Sequence, residues 1–184
     1  MPDPATIRTP ETLKKAVKAL REYFDKTKED YVEQDPVTKK FDEHYLYLQT
    51  RLRACRYDYQ MQKLVDKYYA KALMANVQSA VLAGDRKEFD TVWGECCRAC
   101  QETKTGNVTR VCVYKLLWNY LDYGIADLRS VLGSEGVSNA QKFGANLETL
   151  AGLVEQLVNC QDVQTAEEDR YVRKLLACLG AKFA

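Results

Sequence analysis

The chain predicts an all-α protein of stacked antiparallel helix pairs, an α-solenoid. Three observations predict it. Apolar residues recur at helical spacing along most of the length, and no stretch alternates with the period of two that a strand requires. Turn-forming residues are also scarce: the 184 residues include 9 Gly and 4 Pro, and three of the prolines fall within the first ten positions. A sandwich or barrel needs many tight turns and draws on both residue types. With 46% hydrophobic and 29% charged residues, the composition suits a packed core rather than a disordered chain. One domain over 1–184 is the expectation at this length.

The first helix opens at Thr9-Pro10-Glu11. Thr can cap, Pro suits the first helical position and Glu complements the helix N-terminus. Leu13, Ala16, Val17, Leu20 and Phe24 follow at helical spacing, with Lys14, Lys15, Lys18 and Arg21 on the other side. Residues 26–40 are polar, include Pro36 and are expected to form a flexible loop. A second helix is predicted over about 42–57, with Tyr45, Leu48, Leu52 and Cys55 on one face. A third is predicted over about 60–82, with a stripe of Leu64, Tyr68, Ala72, Ala75 and Ser79 whose small members let neighbouring helices approach closely. Gly84 ends it and Asp85 caps the fourth, which carries Phe89, Val92, Trp93, Cys96 and Cys100 and stops near Thr105-Gly106-Asn107. The fifth, over about 108–123, is rich in large apolar side chains: Val111, Tyr114, Leu117, Trp118 and Leu121. Gly124 closes it. Shorter helices are expected around 126–132, 139–158 and 166–179, making about seven or eight in all. No strict sequence repeat accompanies them, so any repeat is one of structure.

Charge and cysteine content narrow the function classes. With 27 basic against 26 acidic residues the net charge is +1, so any nucleic-acid role must rest on a local patch. No apolar run is long enough to span a bilayer, and the first residues lack the pattern of a secretory signal, so neither membrane association nor secretion is expected. Seven cysteines in such a chain fit reduced thiols of the cytosol or nucleus better than a disulfide framework.

Three groups of residues invite a chemical reading. Cys96-Cys97-Arg98-Ala99-Cys100 has the look of a metal or redox cluster. A second Cys/His pair close in sequence is missing, however, and Cys96 and Cys100 fall on the apolar face of a helix, where free Cys packs as a small hydrophobe. His44 stands without a nearby nucleophile in any recognised motif, and a surface histidine is its simpler reading. Arg51, Arg53 and Arg56, followed by Tyr57, Tyr59 and Lys63, can hold phosphates or carboxylates in bidentate fashion while tyrosines stack on bases. The same arginines are equally ordinary on a solvated helix face. No nucleotide, metalloprotease, hydrolase or calcium-loop motif is present, so no enzyme activity, cofactor, metal or small-molecule substrate is expected.

Four stretches also occur in the order of a known family. They are Pro2-Asp3-Pro4-Ala5-Thr6-Ile7-Arg8 with Leu13-Lys14-Lys15; Arg53-Ala54-Cys55-Arg56-Tyr57-Asp58-Tyr59-Gln60-Met61-Gln62; Ala83-Gly84-Asp85 with Glu88-Phe89; and Gly106-Asn107 with Val113-Tyr114-Lys115-Leu116-Leu117-Trp118-Asn119-Tyr120. Over about residues 2–123 the chain resembles the helical domain of the SAC/GANP family, scaffolds of nuclear mRNA export and transcription-coupled RNA processing related to the PCI proteins. The copy is divergent: the family usually carries Ile, Gln and Thr where this chain has Cys55, Tyr57 and Gln60.

The resemblance implies a TPR-like or PCI-like helical scaffold, nuclear rather than cytoplasmic, with PCI-type protein partners and possible RNA contact. It marks Arg56, Asp58, Gln62, Gly84, Asp85, Phe89, Gly106, Asn107 and Tyr114 as signature positions. Arg56 and Asp58, two residues apart, sit on different faces of a helix and are expected to fix a turn or meet neighbouring helices rather than each other. Residues 124–184 are not matched and lack the winged-helix pattern with which the family's domain usually ends. Binding is therefore expected to use helical faces: Arg51, Arg53, Arg56 and Lys63, and the aromatic fifth helix. A proteasome-lid-like PCI subunit is the remaining relative.

Overall fold

A computed structural model describes residues 7–31, 38, 40–123, 148 and 152. Among them are five α-helices and no strand: α1 (Pro10–Thr27), α2 (Glu43–Met61), α3 (Lys67–Ala83), α4 (Arg86–Thr103) and α5 (Val108–Tyr123). The helices expected around 126–132, 139–158 and 166–179 lie outside the described residues apart from Glu148 and Gly152, which are helical. The chain divides into two compact units, Met1–Gly106 and Asn107–Ala184.

Each helix of the first unit starts on a side-chain cap. Thr9 Oγ1 accepts from the Thr12 amide ahead of Pro10, and Asp42 Oδ1 accepts from the amides of His44 and Tyr45. Asp66 Oδ1 takes those of Tyr68 and Tyr69, and Asp85 Oδ1 that of Glu88. Each cap satisfies amides that have no partner within the helix and contributes about 1 kcal/mol.

The helices pack through stripes at the expected spacing. Leu13, Val17, Leu20 and Phe24 of α1 are buried, as are Leu48, Leu52, Cys55 and Tyr59 of α2. α3 touches α1, α2 and α4 and forms the centre of the unit; from Tyr69 to Ala83 only Lys71, Met74 and Gln78 escape full burial. Its Ala70, Ala72, Ala75, Ala80 and Ala83 admit three neighbours at close range. Contacts also give directions. Arg8 meets Asp58 while Tyr23 meets Tyr47, so α1 and α2 are antiparallel. Tyr69 meets Glu95 while Asn76 meets Glu88, so α3 and α4 are antiparallel as well.

Two expectations need correction. The loop predicted over 26–40 begins later, because α1 continues through Thr27. Tyr31 then turns back into the core, its ring 5.8 Å from Phe24 and 6.4 Å from Tyr45. Residues 32–37 and 39 lie outside the described residues.

The third helix predicted over 60–82 is also misplaced. α2 runs on to Met61, and five residues separate it from α3. Lys63 adopts φ 51° there, its amide donating to the Gln60 carbonyl and that of Leu64 to the Tyr59 carbonyl. That is a Schellman stop with lysine in the position glycine usually holds. With no Gly or Pro at the break, the helix appears continuous in sequence. The consequence is a shifted stripe: Tyr69, not Tyr68, is the buried tyrosine, and Leu64 is only half-buried.

In the second unit, α5 is buried over most of its circumference. Val111, Cys112, Val113, Tyr114, Leu116, Leu117 and Trp118 are all buried, so Tyr114 and Trp118 are not a free surface. The side chain of Leu121, and Gly124, lie outside what is described.

Candidate functional site

Helix α2 presents three kinds of face to its surroundings. One is the apolar stripe already described. The second is polar: Tyr45, Gln49, Arg53, Arg56 and Gln60 recur at intervals of three and four, and every one reaches the α4 side. Tyr45 donates to Asp85 Oδ2 at 2.7 Å, and Gln60 donates to both oxygens of Glu95 at 3.0 Å. Tyr69 of α3 donates to the same Glu95.

Between these contacts lies Glu88, only 4% exposed. It accepts from Arg53 Nη2 at 2.7 Å, Arg56 Nη1 at 3.1 Å, Asn76 Nδ2 at 3.0 Å and Gln49 Nε2 at 3.3 Å. Burial alone would raise its pKa. The hydrogen bonds from Arg53 and Asn76, together with the charge of Arg56, outweigh that and hold it below the ordinary carboxylate value. Two of the three clustered arginines thus direct guanidinium groups at an internal carboxylate. Arg56 keeps 11% of its side-chain exposure and Arg53 57%, so Arg56 is the structural member. Arg51 is exposed beside the Tyr47 ring, 5.5 Å from its centroid, and Lys63 forms the turn after α2. The four predicted contact residues are therefore not gathered into one unpaired basic surface.

The signature positions join segments distant in sequence. Asp58 does not meet Arg56; it accepts from the Nε and the amide of Arg8, fifty residues away. Gln62 donates to the Arg8 carbonyl at 2.9 Å and to the Asp58 carbonyl at 3.1 Å. Arg8 Nη1 also reaches Cys55 Sγ at 3.4 Å. Gly84 takes φ 71° in the Schellman stop of α3, Asp85 caps α4, and Phe89 and Tyr114 are fully buried. Gly106 is more constrained: at φ 87°, an added Cβ would stand 3.0 Å from Cys100 Sγ and 3.3 Å from Met74 Cε. Asn107 Oδ1 accepts from the Arg110 amide at the start of α5.

Cys55, Cys96, Cys97, Cys100 and Cys112 are all buried. A hydrogen bond with Cys96 draws the Cys100 thiol below its ordinary value against the opposing effect of burial. Among the described residues no three of His, Cys, Asp and Glu come together as metal ligands. His44 is exposed, its Nδ1 2.7 Å from the Tyr23 hydroxyl.

The third face of α2 is apolar and exposed. Leu46, Tyr57 and Met61 lie along it, Val65 follows in the linker, and all are between 41% and 45% exposed. None of the described helices is long and apolar enough to cross a membrane. No family model, curated protein or solved structure matches the chain.

Sequence reasoning does not assign Glu88 its central role. Its spacing from Asp85 resembles an ordinary helix start, an N-cap with an acidic residue three positions on. A run of hydrogen-bonding residues at helical spacing along α2 is the only sequence signal for a buried partner. Arg8 has none beyond its place in the opening segment.

Proposed function

We propose that this protein is a non-catalytic helical scaffold of the SAC/GANP type, working in nuclear mRNA export and transcription-coupled RNA processing. The supporting observation is the tie between Arg8, Asp58 and Gln62. The opening Arg8 and the later Asp58 and Gln62 belong to separate parts of the resemblance, yet in the folded chain they bond directly to one another. Residues tied in this way hold helices in place, as a scaffold requires. On this reading the working surface is what they leave free, above all the exposed face of α2 with Leu46, Tyr57 and Met61. Its partner is a PCI-type protein.

The test is capture of partners by the tagged full chain from native nuclear extract, identified by mass spectrometry and followed by size-exclusion chromatography in physiological salt. A PCI-containing complex that persists through the column, and that Tyr57→Asp with Met61→Asp abolishes, is the expected result. Failure to associate with any nuclear PCI candidate would overturn the proposal, and recovery of proteasome-lid subunits would reassign the protein.

A further inference from the structure

A second surface lies on the opposite side of the unit, between α1 and α3. On α1, Lys14, Lys18, Arg21 and Asp25 share one stripe; on α3, Lys67, Lys71, Met74 and Gln78 share another. The two helices run in the same direction, so the basic ends of the stripes coincide. Tyr68 stands at the meeting point, with the ammonium groups of Lys18, Lys67 and Lys71 at 5.7, 5.5 and 5.8 Å from its ring centroid. Among the described residues Lys18, Lys67 and Lys71 form no ion pair with a carboxylate, although Glu11, Glu22, Asp25 and Asp66 belong to the same helices and their caps. Three like charges around one ring repel each other, and the ring's attraction for each is small at such distances. An anion placed among them relieves that repulsion.

The groove continues into a cleft of about 200 Å³ lined by Arg21, Asp25, Lys71 and Gln78 over an apolar floor that includes Phe24 and Met74. We propose that this groove binds single-stranded nucleic acid, with phosphates on Lys18, Lys67 and Lys71, one base stacked on Tyr68 and a neighbouring base in the cleft. The pattern selects this ligand over an acidic peptide for two reasons. An apolar floor beside a side-chain amide suits the face and edge of a base. Asp25, at the far end, is paired through Oδ1 with Lys28 Nζ at 2.9 Å and keeps its other oxygen to accept from a base amino group, which an acidic side chain lacks. The site uses a different face from the scaffold's α2 surface and does not depend on that assignment.

The test is fluorescence anisotropy of the full chain with labelled single-stranded RNA and DNA dodecamers, from 50 to 200 mM NaCl. Three phosphate contacts predict a salt slope of about −2 and a roughly twenty-fold loss of affinity over that range. Lys18→Ala with Lys71→Ala should reduce the slope to about −0.7. Tyr68→Ala should weaken binding by about tenfold, whereas Tyr68→Phe keeps it. Arg51→Ala with Arg53→Ala should leave binding within about twofold, and circular dichroism should report the same helix content in every variant. Tighter binding to RNA than to DNA, or the reverse, identifies the biological strand. Absence of binding to both strands overturns the proposal. So does affinity unchanged by the lysine pair, equal binding of duplex, or displacement by polyglutamate at equal charge concentration.

Discussion

Removing the Glu88 carboxylate should be the most damaging single polar change in the first unit. Glu88→Ala leaves the Arg56 guanidinium, 11% exposed, facing Asn76 and Gln49 with no counter-charge. Taking one partner from a buried ion pair costs about 3–5 kcal/mol, because the remaining charge stays desolvated. Against a typical total of about 5–15 kcal/mol, that is a large share of the stability. For a unit of this size it corresponds to a fall of roughly 10–20 °C in Tm. The two arginines should separate: Arg56→Ala costs about 2–3 kcal/mol, while Arg53→Ala, with its side chain 57% exposed, costs at most about 1 kcal/mol after solvent screening.

The pH dependence follows from the same geometry. Because Glu88 titrates below its ordinary value in the fold, its contribution is present above the unfolded pKa of about 4.3 and is lost as pH falls through the lower folded value. Urea unfolding followed by far-UV circular dichroism, at neutral pH and between about pH 5 and 2, measures both effects. Glu88→Gln should remove the part of the acid sensitivity that this carboxylate supplies. Leucine at 88 with methionine at 53 and 56 should recover much of the loss if the unpaired charge is its cause. A Glu88→Ala loss below about 1 kcal/mol, or an unchanged acid profile for Glu88→Gln, would refute the reasoning.

Three further outcomes are expected. Gly84→Ala, at φ 71° with open space around it, should cost about 1 kcal/mol, while Gly106→Ala adds the 3.0 Å approach to Cys100 and should cost clearly more; equal losses in urea titrations would contradict the packing argument. Burial holds Tyr31, Tyr45, Tyr59 and Tyr69 protonated beyond the ordinary tyrosine value, Tyr31 up to about 12, so stability should be full below about pH 10 and decline above it by about 1.4 kcal/mol per pH unit for each. Phenolate absorbance of all twelve tyrosines developing near pH 10 ahead of helix loss would count against this. Asp58→Ala should release Arg8 and cost about 1–3 kcal/mol, seen as faster limited proteolysis at Arg8; an unchanged cleavage rate would mean that the bond to Asp58 does not hold Arg8 in place.

Much of the local structure is legible from residue types alone. Thr9, Asp42 and Asp85 precede helices because their short oxygen-bearing side chains reach free amides, and Gly84 stops α3 because only glycine takes a positive φ without strain. The α1 stripe of Leu13, Val17, Leu20 and Phe24 follows from the 3.6-residue period. The break after Met61 is not legible, because Lys63 occupies a left-handed position that lysine rarely adopts and neighbouring hydrogen bonds hold it there. That error transferred the buried role from Tyr69 to Tyr68.

The candidate sites divide in the same way. Sequence alone determined the helical class, the caps and the presence of three arginines and several lysines at helical spacing. Whether a charge is spent or free depends on what the fold brings opposite it, often thirty or more residues away. Glu88 and Asp58 lie beside Arg53, Arg56 and Arg8, and among the described residues no carboxylate pairs with Lys18, Lys67 or Lys71. Coulomb interaction depends on distance in space and on burial, and neither is written in the local order of residues. Tertiary structure therefore sets Arg53 and Arg56 against Glu88 and gathers Lys18, Lys67 and Lys71 around Tyr68 between α1 and α3.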